Sequence, residues 1–129
     1  MIVVLAAGSR SGYKKRIIEA CEAEDSLTLV VIDPDQKTAT AFLDLARQYL
    51  PSIIILPLGW SFKNRIEHIG YEVAKLVHKE YSIIVLTETM SPPEVDELKE
   101  DGVTVIRTDS TGIKLLQAIK EAIPAKAET

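Results

Sequence analysis

Several features that define whole classes of protein are scarce or missing in this sequence. The 129 residues include one cysteine, Cys21, so an internal disulfide and the cysteine-rich zinc patterns are excluded. No apolar run reaches the roughly 18 residues that a membrane-spanning helix needs. No basic segment precedes the apolar start at Ile2, so a signal peptide is not predicted. With 15 Lys and Arg against 19 Asp and Glu, the chain lacks the positive charge of a general nucleic-acid binder.

The composition that remains is that of an ordinary globular domain. Apolar residues make up 47% of the chain and charged residues 26%, and the formal net charge is −4. A chain of this length builds one hydrophobic core. We predict one domain over residues 1–124, with residues 125–129 as a flexible tail or the start of a linker. A single cysteine favours a reducing compartment, so we expect a cytoplasmic protein without membrane contact.

Five short apolar runs have the length of a β-strand and show no polar alternation. Such runs are typical of strands that are buried on both faces of a parallel sheet. The predicted strands are Ile2–Ala6, Leu27–Ile32, Ile53–Leu56, Ile83–Leu86 and Val103–Ile106.

An amphipathic segment with apolar residues at helical spacing follows each strand. The fourth segment has the clearest boundaries, because Ser91 suits the N-cap, Pro92 and Pro93 suit the first turn, and Gly102 suits a left-handed end. The predicted inward residues include Ile66, Ile69, Val73, Leu76 and Val77 on the third helix and Ile113, Leu116, Ile119 and Ile123 on the fifth. The predicted helices are Tyr13–Glu24, Thr38–Tyr49, Asn64–Lys79, Pro92–Asp101 and Gly112–Ile123.

Five strand–helix units predict a three-layer αβα fold. Right-handed crossovers place helices on both faces of a five-stranded parallel sheet, with the flavodoxin-like strand order 2-1-3-4-5. Functional residues in such folds lie at the carboxyl ends of the strands. The loops to consider are therefore Ala7–Gly12, Asp33–Lys37, Pro57–Lys63, Thr87–Ser91 and Arg107–Thr111.

Three segments of the chain carry a resemblance to a known family. They are residues 41–56 (AFLDLARQYLPSIIIL), residues 83–87 (IIVLT) and the stretch from Gly102 to Ile123. In order and spacing they resemble the second helix with third strand, the fourth strand, and the fifth strand with final helix of response-regulator receiver domains. The resemblance implies the receiver fold over nearly the whole chain.

The resemblance also implies a phosphorylation site, from which this sequence departs. Receivers phosphorylate an aspartate at the end of the third strand, where Pro57 stands here. Their Mg²⁺-binding acidic pair corresponds to Ala7 and Gly8, which have no carboxylate. Thr87 keeps the hydroxyl position, and Arg107 or Thr108 lies near the lysine position. We therefore interpret the chain as a divergent pseudo-receiver without cofactor or enzymatic activity.

By the same resemblance, the expected function is regulation through contact with another protein. The partner is a separate protein, a covalently linked output domain or a second copy of the chain. Receivers often use the face of the fourth helix, fifth strand and fifth helix for such contacts. That face would include Glu97, Thr104 and Lys114.

The alternative function is binding of a small ligand such as a nucleotide, phosphate or flavin. The loop after the first strand leads into a helix, so its backbone N–H groups and the helix dipole favour an anion. It lacks the spacing of a Walker A motif or a dinucleotide fingerprint. We expect Arg10, Lys14 and Arg107 to form a positive patch near it. The candidate anion-binding residues are Gly8, Ser9, Arg10, Ser11, Gly12 and Lys14.

Trp60 and Phe62 leave two interpretations open. Trp60 either folds back over the vacant phosphorylation site, or it is an exposed aromatic anchor for a partner, since Trp is enriched in interface hot spots. Flavodoxins stack a flavin ring on aromatics in this region, which links Trp60 to the ligand-binding alternative. The loop after the fourth strand contains no aromatic residue for the opposite side of such a ring.

The remaining chemically active residues favour structural roles. His68 and His78 lack the spacing of a helical metal pair. Cys21 lies on an apolar stripe and is predicted to pack as a small hydrophobe. Asp33 and Asp35 are assigned to turn formation and helix capping. The loops contain no arrangement of residues typical of a catalytic site. The acidic residues of the fourth helix are predicted to form a solvated face: Glu94, Asp96, Glu97, Glu100 and Asp101.

Overall fold

The computed structural model describes residues 2–7, 11–22, 24–87, 93–107 and 112–122. The strands in these ranges are β1 (Ile2–Ala7), β2 (Leu27–Ile32), β3 (Ile53–Pro57), β4 (Trp60–Phe62), β5 (Arg65–Glu67), β6 (Ser82–Thr87) and β7 (Thr104–Arg107). The helices are α1 (Ser11–Glu22), α2 (Ala39–Gln48), α3 (Ile69–Val77), α4 (Pro93–Glu100) and α5 (Gly112–Ala122).

Five of the strands form one parallel sheet in the order β2-β1-β3-β6-β7. The longest pairing joins β1 to β2 along their whole length, from Ile2 opposite Leu27 to Ala7 opposite Ile32. Because β6 and β7 are the predicted fourth and fifth strands, this is the predicted order 2-1-3-4-5. The predicted α/β fold is therefore confirmed.

Two separate apolar clusters cover the two faces of the sheet. Alternating residues of the central strands point to opposite faces, so Leu5 and Ile54 lie in one cluster and Val4 and Ile53 in the other. Helices α2, α3 and α4 contribute to the first cluster, and α1 and α5 to the second. All five residues of β3 are buried, which places this strand at the centre of the three layers.

The prediction of a helix over Asn64–Lys79 is wrong at its beginning. Residues 60–67 form an antiparallel hairpin of β4 and β5, and α3 begins only at Ile69. Lys63 and Asn64 both have positive φ, 52° and 66°, which is the conformation of a type I′ hairpin turn. Ile66 therefore lies on a strand and is 52% exposed, instead of facing the core from a helix.

Other helix predictions need smaller corrections. Helix α1 begins and ends two residues earlier than predicted, so Ser11 and Gly12 belong to the helix. Leu76 on α3 and Ile113 on α5 are exposed, although both were assigned to inward stripes, whereas Leu115 is buried. The predicted helix cap Ser91, together with Pro92 and Ile123, lies outside the described residues.

The end of α4 follows its prediction in detail. Gly102 has φ +85°, and its N–H bonds to the carbonyl of Lys99 at 3.1 Å. The next N–H, of Val103, bonds to the carbonyl of Leu98 at 2.9 Å. These two bonds are a Schellman motif, in which the left-handed residue ends the helix. Val103 and Leu98 are both buried, so the motif also directs the chain into β7.

Candidate functional site

The carboxyl ends of the four neighbouring strands β1, β3, β6 and β7 bring the predicted site residues to one edge of the sheet. Ala7 ends β1, Pro57 ends β3, Thr87 ends β6 and Arg107 ends β7. Pro57 lies opposite Leu86, and Thr87 lies opposite Arg107. The sequence-based grouping of Ala7, Pro57, Thr87 and Arg107 is thus reproduced by the strand order.

Apolar residues stand at the ends of β1 and β3, where the resemblance to receivers would lead one to expect carboxylates. Ala7 is fully buried, and Pro57 is buried at the end of β3, which lies between β1 and β6. Thr87 is 4% exposed and is the buried polar residue of this edge, while Arg107 is exposed. Among the described residues, no group of three or more His, Cys, Asp or Glu is placed to hold a metal ion.

The candidate anion-binding loop is only partly covered by the structure. Ser11, Gly12 and Lys14 lie in the first turn of α1. Gly8, Ser9 and Arg10 lie outside the described residues, as does Thr108. The predicted convergence of Arg10, Lys14 and Arg107 therefore stays a prediction.

The β4–β5 hairpin docks on the loop between β2 and α2. The N–H of Gln36 donates to the carbonyl of Ser61 at 2.7 Å, and the N–H of Ser61 donates to Asp35 Oδ1 at 3.3 Å. The Gln36 side chain accepts from the N–H of Lys63 at 3.0 Å. Gln36 has φ +63°, so the loop residue that bonds to the hairpin has a left-handed backbone conformation. The backbone of the hairpin is thus anchored to the backbone of Gln36 and to the side chains of Asp35 and Gln36.

Asp33 and Asp35 form a turn, as the sequence predicts. Asp33 Oδ1 accepts from the N–H of Asp35 at 3.0 Å, which is an Asx turn. Neither residue caps α2, however. Thr38 is the N-cap, and its hydroxyl oxygen accepts from the N–H of Ala41 at 3.1 Å.

Trp60 is a core residue. Its side chain is 2% exposed, and its ring lies 5.3 Å from that of Phe42, at an interplanar angle of 45°. Its Nε1–H donates to the carbonyl of Lys37 at 2.8 Å, which satisfies the polar end of the indole. The interpretation of Trp60 as an exposed partner contact is therefore wrong, because the indole is enclosed between the hairpin and α2. Phe62 remains half-buried.

Helix α3 packs directly against the end of β3. The N–H of Tyr71 donates to the carbonyl of Leu58 at 3.0 Å, and the N–H of Leu58 donates to the carbonyl of Leu86 at 2.9 Å. A Cβ atom at Gly70 would lie 1.8 Å from the carbonyl oxygen of Pro57. Only glycine permits this approach, so Gly70 sets the position of α3 beside the candidate site.

A row of polar contacts joins α3 to α4. His68 Nδ1 lies 2.6 Å from Glu94 Oε2, and Lys75 Nζ donates to Asp101 Oδ2 at 2.8 Å. Between these two pairs, the Tyr71 hydroxyl donates to the Glu97 carboxylate. Sequence reasoning missed this row and assigned the acidic residues of α4 to a solvated face. Asp96 and Glu100 do face solvent, whereas the other three acidic residues contact α3: Glu94, Glu97 and Asp101.

These contacts shift three titration equilibria. The hydrogen bond to Glu97 raises the pKa of Tyr71, because loss of the hydroxyl proton would place two negative charges side by side. The hydrogen bond between Lys75 and Asp101 raises the pKa of the lysine and lowers the pKa of the aspartate below its ordinary value of 3.8. The charged forms of Lys75 and Asp101 are therefore favoured in the folded state.

We expect the free energy of unfolding of Asp101→Asn to depend less on pH in the acid range than that of the wild-type chain. A carboxyl group with a lowered folded-state pKa contributes stability above pH 3.8, which is lost as the pH falls through the folded-state pKa. The measurement is the urea midpoint of unfolding across this pH range. Asp96→Asn is the matched control, because Asp96 is exposed on α4 and has no partner among the described residues. If the urea midpoint depended on pH equally in both variants, the prediction would be contradicted.

The remaining predicted contact residues lie where the order of elements places them. Thr104 is exposed at the start of the edge strand β7, and Lys114 is exposed on α5. Glu97 is exposed on α4 but also contacts α3 through Tyr71. Cys21 is buried on α1, and burial raises its pKa to about 11, which is consistent with its predicted role as a small apolar residue.

No helix within the described ranges is long and apolar enough to cross a membrane. No protein-family model matches the sequence, and no curated protein matches it in a sequence search.

Solved structures nevertheless resemble this fold over almost its whole length. The signal receiver domain of NarL from Mycobacterium tuberculosis has a TM-score of 0.73 at 17% identity, covering 95% of each chain. A DNA-binding response regulator of the LuxR family from Staphylococcus aureus has a TM-score of 0.75 at 12% identity, covering 96% of this chain and 100% of that one. The response regulator domain of CheB from Thermotoga maritima has a TM-score of 0.71 at 17% identity, covering 95% and 96%. At these identities the similarity establishes the fold, and this chain has the fold of response-regulator receiver domains.

Proposed function

We propose that residues 1–124 form a receiver-like regulatory module that acts by protein–protein contact and does not depend on phosphorylation. The module works in the cytoplasm, either with a separate partner, as a homodimer or with a covalently linked output domain. The observation that carries the proposal is Pro57, which is buried at the end of the central strand β3. This is the position that receivers use for the aspartate that accepts the phosphoryl group.

The chemistry of the edge supports the absence of phosphoryl transfer. Pro57 has no nucleophilic side chain, and Ala7 provides no carboxylate at the end of β1. Phosphoryl transfer needs positive charge on the moving oxygens, which Mg²⁺ supplies when carboxylates hold it. The Thr87 hydroxyl can donate a hydrogen bond to a phosphoryl oxygen, but it is a weak nucleophile without a base or a metal.

The structures that resemble this chain support a regulatory role. They are named as receiver domains or response regulators, and the one from Staphylococcus aureus is named as DNA-binding. The predicted contact face comprises α4, β7 and α5. Thr104 and Lys114 are exposed on it, which is what a contact with another protein requires.

The ligand-binding alternative loses its aromatic component. A flavin would need an exposed ring face on the β3 side, and the faces of Trp60 are enclosed in the core beside Phe42. What remains of the alternative is anion binding at the loop after β1, which rests on the sequence alone.

The direct test is incubation with acetyl phosphate and Mg²⁺, read by intact-protein mass. We expect no phosphoryl adduct on the wild-type chain. We also expect none on Pro57→Asp, because that variant supplies a nucleophile but no carboxylates for Mg²⁺. A conventional receiver domain, treated in parallel, is the positive control.

A base-labile phosphoryl adduct on the wild-type chain would overturn the proposal. Such an adduct would be an acyl phosphate on an aspartate or glutamate. Asp33 and Asp35 would be the first residues to replace with asparagine, since both lie at the carboxyl end of β2.

A further inference from the structure

The strand β2 lies at the edge of the sheet and lacks most of the features that usually protect an edge strand. It pairs along its whole length with β1 on one side, and within the described residues its other side makes no strand pairing. Its six residues, Leu27–Ile32, contain no charge and no proline. Natural proteins usually protect an edge strand with charge, proline, a bulge or short length. The opposite edge, β7, has four residues and ends in Arg107.

The side chains of β2 are also only half covered. Five of its six residues are partly buried, and Val31 is 37% exposed. An open groove of about 350 Å³ runs beside the first half of the strand. Its apolar lining residues are Ile18, Cys21, Leu27 and Leu29, and its acidic ones are Glu22, Glu24 and Asp25. An added strand would find hydrogen-bonding groups along the edge and, on the α1 side, a groove for its side chains that is lined by both apolar and acidic residues.

Acidic residues lie at both ends of this uncharged strand. Glu24 and Asp25 precede β2, and Asp33 and Asp35 follow it. Glu24 forms an ion pair with Lys120, whose Nζ lies 3.0 Å from Glu24 Oε2, so Asp25 is the acidic residue before β2 that is not in this pair. Lys37 Nζ donates to the backbone carbonyl of Asp33. The carboxylates of Asp33 and Asp35 accept from the backbone N–H groups of Asp35 and Ser61, which are neutral donors, so both keep their negative charge. The edge therefore presents an apolar middle between two negative ends.

We propose that β2 binds an extended segment of a partner protein by strand addition, and that this segment has apolar residues in its middle and Lys or Arg at both ends. Strand addition uses main-chain hydrogen bonds for affinity and alternate side chains for specificity. A second copy of β2 is a poorer occupant, because in either orientation its acidic ends would meet acidic ends. The proposal rests on the proposed function only in assuming that the module acts through protein contact.

The test uses a peptide of alternating Thr and Val with two Lys residues at each end, and a control peptide with Glu in place of Lys. We expect the Lys peptide to bind at least about tenfold more tightly, from several exposed charge pairs, and more weakly as salt rises. Amide shift changes measured by NMR should concentrate in residues 27–32. Val31→Lys should weaken binding at least about tenfold, because it adds a like charge at the edge. Leu76→Lys, at an exposed apolar residue of α3, is the matched control and should bind the Lys peptide normally.

Each other outcome overturns the proposal. No binding at millimolar peptide, equal binding of the two peptides, or shift changes confined to α4, β7 and α5 would each exclude β2 as this site. A dimer of the chain alone in sedimentation velocity, lost in Val31→Lys, would assign the edge to self-association. The acetyl phosphate experiment is independent of these results, so failure here leaves the proposed independence from phosphorylation intact.

Discussion

Trp60→Ala is expected to lower the free energy of unfolding by about 3–5 kcal/mol. The indole is 2% exposed and packs on Phe42, so its removal leaves a large cavity between the hairpin and α2. The carbonyl of Lys37 also loses its hydrogen-bond donor. The measurement is urea unfolding followed by far-ultraviolet circular dichroism, because the variant has no tryptophan fluorescence.

Two further variants separate the contributions at this position. Trp60→Phe keeps an aromatic ring against Phe42 but removes the indole N–H, so we expect a smaller loss than that of Trp60→Ala. Phe62→Ala is the control on the same strand, and its loss should also be smaller because Phe62 is only half-buried. If Trp60→Ala unfolded at the wild-type urea concentration, the indole would not be a core residue.

Gly70→Ala is expected to cost about 3 kcal/mol or more, which is the opposite sign to the usual effect of this change in a helix. Alanine normally favours a helix over glycine by about 1 kcal/mol. Here the added Cβ would lie 1.8 Å from the carbonyl oxygen of Pro57 and 2.9 Å from that of Leu58. Both are backbone atoms that cannot rotate away, so α3 must move as a unit or the end of β3 must distort.

Gly102→Ala is the matched control for the glycine effect. Gly102 also has a structural role, at φ +85°, but nothing lies within 4 Å of the position of an added Cβ. Its cost is therefore the left-handed conformation alone, about 1 kcal/mol. Equal losses in the two variants, measured by urea unfolding, would show that the contact of α3 with β3 is looser than the structure has it.

The hairpin shows why part of the site could not be predicted from the sequence. Ile66, Ile69 and Val73 have helical spacing, so the apolar pattern favoured one long helix. The turn residues Lys63 and Asn64 are not the Asn-Gly or Asp-Gly pair that marks a type I′ turn. The strands β4 and β5 have three residues each, too few for alternation to be recognised. The docking that holds the hairpin comes from the loop at Gln36, which is distant in sequence.

The row of contacts between α3 and α4 has a similar explanation. Tyr71 and Lys75 recur at helical spacing on α3, as do Glu94 and Glu97 on α4, but each spacing is also typical of a solvated face. Which helices become neighbours depends on the side of the sheet to which each crossover leads. The sequence contains the charges, and the packing of α3 beside α4 decides that they meet.

The sequence by itself determined the sheet and the residues at its carboxyl edge. Each buried strand is a continuous apolar run, and parallel topology then places Ala7, Pro57, Thr87 and Arg107 together, because the carboxyl ends of parallel strands share one edge. The tertiary structure decided which side chains are enclosed. Trp60 is buried because the hairpin folds onto α2, and Val31 is half exposed because no strand in the described chain lies beyond β2. Both outcomes depend on contacts between distant segments, which local periodicity does not encode.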